Sequence, residues 1–190
     1  MKWVVVAIVV FIAGYTYLTL HFRKPGPDYR PYEDMRNRAN TLRLLSAGYQ
    51  RIELPAERPL DSGGAHDNTF PAPGGVPGDL NKTIVTRPLL PAEILGARAA
   101  ASGTSSEPYS ILFRCVVPDD QRQLAGAEMY IRRNELVITP DFEILARGLQ
   151  TRSRNLLVLL TVPPHTLKSG SYRVLLVGDH ASRAWTVTIR

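Results

Sequence analysis

The sequence predicts a mainly β protein: an N-terminal transmembrane helix, a short amphipathic helix, then a β-sandwich. Three observations carry this. Residues 3–22, "WVVVAIVVFIAGYTYLTLHF", hold no charge apart from a protonatable His21. Residues 31–48 repeat apolar side chains at helical spacing and end on Gly48. Beyond residue 83, runs such as "YSILFRCVV" and "RAWTVTIR" alternate apolar and polar side chains, the pattern of half-buried strands. The 190 residues divide into a transmembrane anchor (1–22), a proline stalk with the helix and a short strand (23–54), a Pro/Gly-rich linker (55–82) and the sandwich (83–190).

At 1.5 Å per residue, twenty helical residues span about 30 Å, the thickness of a bilayer's hydrocarbon core. Trp3 at one end and Tyr15, Tyr17 and Phe22 towards the other suit the headgroup regions. A cleaved signal peptide is the competing reading. Its best cleavage site, Ala13-Gly14, is followed by the bulky "YTYLTLHF", so the uncleaved anchor is carried forward. The side on which the body lies is contested. Lys2 stands against Arg23, Lys24, Arg30, Arg36 and Arg38, which favours a cytoplasmic body. The "MKW" start followed by an apolar run is that of an N-inside signal anchor, and an extracytoplasmic body at the inner (cytoplasmic) membrane is the expectation.

Pro25, Pro27 and Pro31 lack amide donors and hold their predecessors extended, giving a stiff stalk. A helix follows over 31–47. Glu33 and Asp34 lie in its first turn, where the dipole favours acids, and Gly48 is placed to stop it. Met35, Ala39, Leu42 and Leu45 form its apolar stripe. A lone helix must bury such a stripe to be stable. It could pack on the chain's own sheet, on a partner protein or on the lipid surface. "YQRIEL" alternates as a short strand. The segment 55–82 then turns rich in Pro, Gly and Asp, as linkers do. Its glycosylation sequon, Asn81-Lys82-Thr83, is too short a motif to build on.

Strands are expected at 83–88, 109–117, 127–133, 135–139, 154–162, 171–178 and 183–190, with 89–108 holding a helical turn and a loop, and 141–148 open between strand and helix. Six or seven short strands, the first of them open, with turn residues between them suit a sandwich. The stretch "VPPHTLKSGSYRVLLVG" resembles the corner before the penultimate strand of bacterial immunoglobulin-like domains. The resemblance implies an Ig-like β-sandwich in which Tyr172 hydrogen-bonds back to the crossover. It covers the last 40 or so residues well and implies no chemistry. The paired cysteines of antibody-type domains are absent, since Cys115 stands alone. The overall layout is similar to that of FixH-type accessory proteins of haem–copper cytochrome oxidases, with one N-terminal membrane helix and an extracytoplasmic β-domain.

Catalytic motifs are missing. His21, His66, His165 and His180 lie too far apart in sequence for a helical metal pair, and a site would have to be built by folding. Cys115 shares a strand face with Ile111, Phe113 and Val117 and reads as a core thiol. Asp119 and Asp120 read as a turn before an acid–base pair. The net charge of +6 comes from scattered basic residues interleaved with acids, which does not point to nucleic acid. No catalytic, cofactor or metal residue is therefore assigned.

What is left is a surface. Phe22, Arg23, Lys24, Tyr29, Tyr32, Met35, Arg38, Leu42 and Leu45 are the expected partner-binding residues, with Arg23 and Lys24 gripping lipid headgroups. The expected function is a non-catalytic accessory or assembly subunit of an integral membrane protein complex, with a respiratory cytochrome oxidase the first partner to test. The alternative is a free-standing, membrane-anchored envelope module that binds a glycan or peptide. A third class is a small enzyme whose site is assembled by folding around Asp119, His165 or His180.

Overall fold

The computed structural model describes residues 2–22, 31–59, 67–146 and 149–190. Its helices are α1 (Lys2–Phe22), α2 (Pro31–Ser46) and α3 (Gly78–Thr83). Its strands are β1 (Gln50–Leu54), β2 (Ala56–Glu57), β3 (Phe70–Pro73), β4 (Glu93–Ala99), β5 (Ser102–Gly103), β6 (Tyr109–Val116), β7 (Arg122–Arg132), β8 (Glu135–Ile144), β9 (Asn155–Val162), β10 (Gly170–Leu176) and β11 (Ala181–Ile189). The chain divides into two compact units, Met1–Met35 and Arg36–Arg190.

In the first unit, α1 is long and apolar enough to cross a membrane. Every side chain described on it is exposed, as expected of a surface that lipid would cover. The Thr19 hydroxyl donates to the Tyr15 carbonyl at 2.7 Å and so needs no partner outside the helix.

In the second unit the strands form one hydrogen-bonded path, β1-β7-β8-β10-β11-β4-β6-β9-β2, with β3 and β5 added on β11. The two ends of that path are consecutive in the chain. β1 pairs antiparallel with β7, from Gln50↔Ile131 to Leu54↔Ala127. β2 pairs antiparallel with β9, Ala56↔Leu160 and Glu57↔Leu159. Pro55 stands between them, where the chain leaves one ladder for the other and a missing amide donor does no harm. The sheet is therefore nearly closed and barrel-like. It is thinnest between β11 and β4, which share the single pair Ala181↔Glu93. Two glycines allow close approaches at the turn before β11: a Cβ on Gly74, just past β3, would collide with the Asp179 carbonyl, and one on Gly178 with the Ala181 carbonyl.

These findings correct several expectations. A two-sheet sandwich gives way to one continuous sheet, because alternation puts every second residue inside in either architecture. The segment expected as a linker supplies β2, β3 and α3, and Leu80 in it is wholly buried. No strand forms at 83–88, and 93–99 is a strand where a helical turn was expected. The expected strand at 135–139 and the ambiguous run after it join into β8, with Pro140 inside, opposite Ala127 and next to the irregularity at Leu124/Gly126.

The main core fills the sheet's interior. The expected face of Ile111, Phe113, Cys115 and Val117 is buried, as are Trp185, Val187 and Ile189, while Thr186 and Thr188 face water. Polar tips inside find partners. Trp185 Nε1 donates to Tyr109 Oη at 3.1 Å, and that hydroxyl donates to the Ala100 carbonyl at 2.7 Å. Tyr172 Oη donates to the Lys168 carbonyl at 3.0 Å, which is the expected bond back to the crossover.

A second apolar cluster lies on the other face of β7 and β8. Tyr130 and Val137 are cross-strand partners of opposite parity to the core residues Met129 and Ile138. Leu44 from α2 and Leu80 from α3 cover them, with Tyr49, Ile84 and Val177.

Candidate docking surface

Helix α2 ends as its sequence predicts. Gly48 adopts φ 79° just past the last turn, and the Tyr49 N–H closes on the Leu44 carbonyl at 2.8 Å. Its body-facing side carries Arg36, Asn40, Arg43 and Leu44. Arg36 donates to Thr86 Oγ1. Asn40 Oδ1 accepts the Val85 N–H at 3.1 Å. Arg43 donates to the Lys82 carbonyl at 3.2 Å. Leu44 is 1 % exposed within the second cluster. The helix is thus fastened to the body by one leucine and a row of polar contacts.

Its apolar stripe points elsewhere. Leu42 is 69 % and Leu45 60 % exposed, and Met35 is 63 % exposed. Arg38, Leu42 and Leu45 share one face at i, i+4 and i+7, and Arg38 is exposed with them. Packing of this stripe on the chain's own sheet, one of three expectations, is therefore not what the structure shows. Of the other expected binding residues, Arg23, Lys24 and Tyr29 lie outside the described residues, as do the side chains of Phe22 and Tyr32. Beside the stripe is an open cleft of about 430 Å³ between α2 and β1, lined by Thr41, Leu44, Leu45, Tyr49, Arg51 and Glu53.

Beneath that cleft lies a polar group that sequence reasoning missed. Register places Glu53 opposite Glu128, and Arg51 donates to both carboxylates. Tyr130 Oη donates to the other Glu128 oxygen. Burial, then the neighbouring Glu128, push the Tyr130 hydroxyl's pKa well up, so it remains a donor. The alternation of "YQRIEL" placed Arg51 and Glu53 on one side, but their partner lies 75 residues beyond Glu53 and had no local signal. Nearby, Arg132 donates to Tyr49 Oη at 3.0 Å and lies 5.0 Å over its ring, bracing the helix's exit.

The remaining candidates for chemistry are not brought together. His66 is outside the described residues. His165 is exposed at φ 61°, and exposed His180 has Asp179 3.8 Å away. Among the described residues no three His, Cys, Asp or Glu side chains cluster as a metal site would require. Cys115 is wholly buried, and burial pushes its thiol up to about 12. Asp119 forms a turn: its carboxylate accepts the Gln121 N–H at 3.0 Å and pairs with Arg122 at 3.0 Å. Compared with family models, with curated proteins and with solved structures, the chain matches none, so this surface has to be read from its own residues.

Proposed function

We propose that the chain is a non-catalytic, membrane-anchored accessory subunit that docks on an integral membrane protein complex through the outer face of α2. The observation that carries this is the division of that helix. Its polar side and Leu44 hold the body, while Leu42 and Leu45 stay in water. Exposed apolar side chains grouped into a patch, unlike ones scattered singly, are a mark of interaction surfaces. An anchor in the bilayer would hold the chain at the membrane in which such a complex lies. We place the body outside the cytoplasm, with the anchor in the inner membrane. A respiratory haem–copper oxidase is the partner tested first, on the resemblance of layout alone.

The test is a mild-detergent pull-down of the full-length chain with mass spectrometry and a visible absorbance scan. A stoichiometric membrane complex is expected, with haem bands if it is an oxidase, and Leu42→Asp should release it while the β-domain stays folded. A chain that comes down alone and colourless overturns the docking reading in favour of a free-standing envelope module. Retention of the complex by Leu42→Asp and Leu45→Asp moves the contact away from α2.

A further inference from the structure

Another cleft, away from the docking face, has the chemistry of a ligand site. It measures about 400 Å³ and lies between the turn at Gly75–Val76, helix α3, the strap 87–90 and the turn at Asp179. That is the lower part of the size range of small-molecule pockets. Its apolar wall is Val76, Pro88, Leu89, Leu90 and Pro118, and its polar groups are Asn81, Arg87, Arg122 and Asp179.

The cationic groups have capacity to spare. Arg87 is exposed and, among the described residues, makes no hydrogen bond or ion pair. Arg122 engages Asp119 through Nε alone, at 3.0 Å, leaving its two terminal amino groups without a protein partner among the described residues. A guanidinium fork with open N–H groups matches a carboxylate. The frame is also preformed. Asp141 accepts the Leu89 N–H at 3.3 Å, the Asp179 N–H reaches the Pro91 carbonyl at 2.8 Å, and the Gly75 N–H reaches the Gly178 carbonyl at 2.8 Å. A site held this way needs little ordering when a ligand arrives.

We infer that this cleft binds the C-terminal residue of a peptide. Arg87 and Arg122 take its carboxylate, and the wall of Leu89, Leu90 and Val76 takes an apolar side chain. Asp179 supplies an acceptor for the peptide's own N–H. With Asp119 paired to Arg122, the charges of the two arginines and two aspartates balance, so the open N–H groups of Arg87 and Arg122, and not a net charge, are what a single carboxylate meets. The acceptor is what separates a peptide from a fatty acid, whose apolar tail has no donor to offer. The site is independent of the α2 docking face, so failure of either leaves the other standing.

The experiment uses the full-length chain in detergent and three probes: N-acetyl-alanyl-leucine, the same dipeptide with its C-terminus amidated, and octanoate. Amide chemical shifts at Val76, Asn81, Leu89 and Leu90 are followed by NMR. The free-acid dipeptide should shift them saturably, with the amide and octanoate each weaker by at least about tenfold. Arg87→Gln should weaken the dipeptide by about tenfold with the rest of the spectrum unchanged, since that side chain holds nothing else. Arg122→Gln is the second variant and should act in the same direction. Equal binding of acid and amide, equal binding of octanoate, no binding at all, or full binding by both variants would each overturn the assignment.

Discussion

The molecule has two apolar clusters that are built differently. The inner one takes every second residue from long strands, so each strand contributes several side chains and neighbours in sequence alternate in and out. The outer one takes one or two residues from each of several elements: Leu44 from α2, Leu80 from α3, Tyr130 from β7 and Val137 from β8. Its small apolar area is supplemented by polar contacts at Arg36, Asn40, Arg43 and Arg132. The two meet at consecutive residues, since Leu89 packs on the inner cluster and Leu90 on the outer. The lesson is one of separability. The inner cluster makes the fold, and the outer one attaches α2 to it.

The sharpest way to break this distinction is to empty a site in each. Phe113→Ala, at a position 1 % exposed, should cost about 3–5 kcal/mol and lower the midpoint of denaturant unfolding for the whole β-domain. Leu44→Ala should cost about 2–3 kcal/mol. Its effect should show first as faster amide exchange and earlier proteolysis in α2, with the strands still protected. If Leu44→Ala melts strands and helix together, the clusters are one cooperative unit. Tyr172→Phe removes a single bond to the Lys168 carbonyl and should cost about 1 kcal/mol, read from the same unfolding curves.

The smallest effects concern two carboxylates on opposite sides of the usual aspartate value. Burial raises Asp141, with the Leu89 N–H pulling the other way. A raised carboxylate holds its proton more tightly folded than unfolded. Its contribution is therefore present below the unfolded value of about 4 and lost as pH rises through the folded one. Burial pushes Asp67 the same way, but hydrogen bonds from Thr69 and Ala97 and the charge of Arg183 outweigh it, and the net shift is downward. Its contribution is present above the unfolded value and lost as pH falls through the folded one. Unfolding curves from pH 3 to 7 should show Asp141→Asn flattening a loss on alkalinisation and Asp67→Asn flattening a loss on acidification. Parallel profiles for the two variants would mean that the strap at Leu89 and the clasp at Arg183 respond to pH alike.

How much of this was legible follows from what local sequence encodes. Alternation marks Trp185, Val187 and Ile189 as inward because period and burial coincide there. Gly48 is legible as a helix stop because only its φ requires glycine. The stripe at Met35, Leu42 and Leu45 is legible as helical, but periodicity gives a face without saying what covers it, and the fold chose Leu44 as the anchor instead. β2 and β3 escaped notice because a two-residue strand and a four-residue strand with two prolines carry no period. Pro140 reads as a breaker, yet it sits in β8 beside an irregular pairing where its missing donor costs little. The Arg51–Glu128–Tyr130 group joins partners set by register and could not be seen without it. Of the expected binding surface, Arg38, Leu42, Leu45 and Met35 can be followed into the structure, and each is exposed.

The hand-over at Pro55 also governs the order in which the protein can be made. Ala56 pairs with Leu160, 104 residues further on, and Gln50 with Ile131, 81 further on. Contacts so distant in sequence are late in folding, because the intervening chain must be organised first. The residues that seal the sheet leave the ribosome early and wait for their partner β9, near the end of the chain. Until then β2 is unpaired and β6, which also pairs with β9, presents an open edge, the condition in which β proteins associate wrongly. Synthesis is thus the stage at which this protein is most exposed to misassembly, and slowing translation after residue 54 lengthens that exposure without touching any contact in the finished molecule.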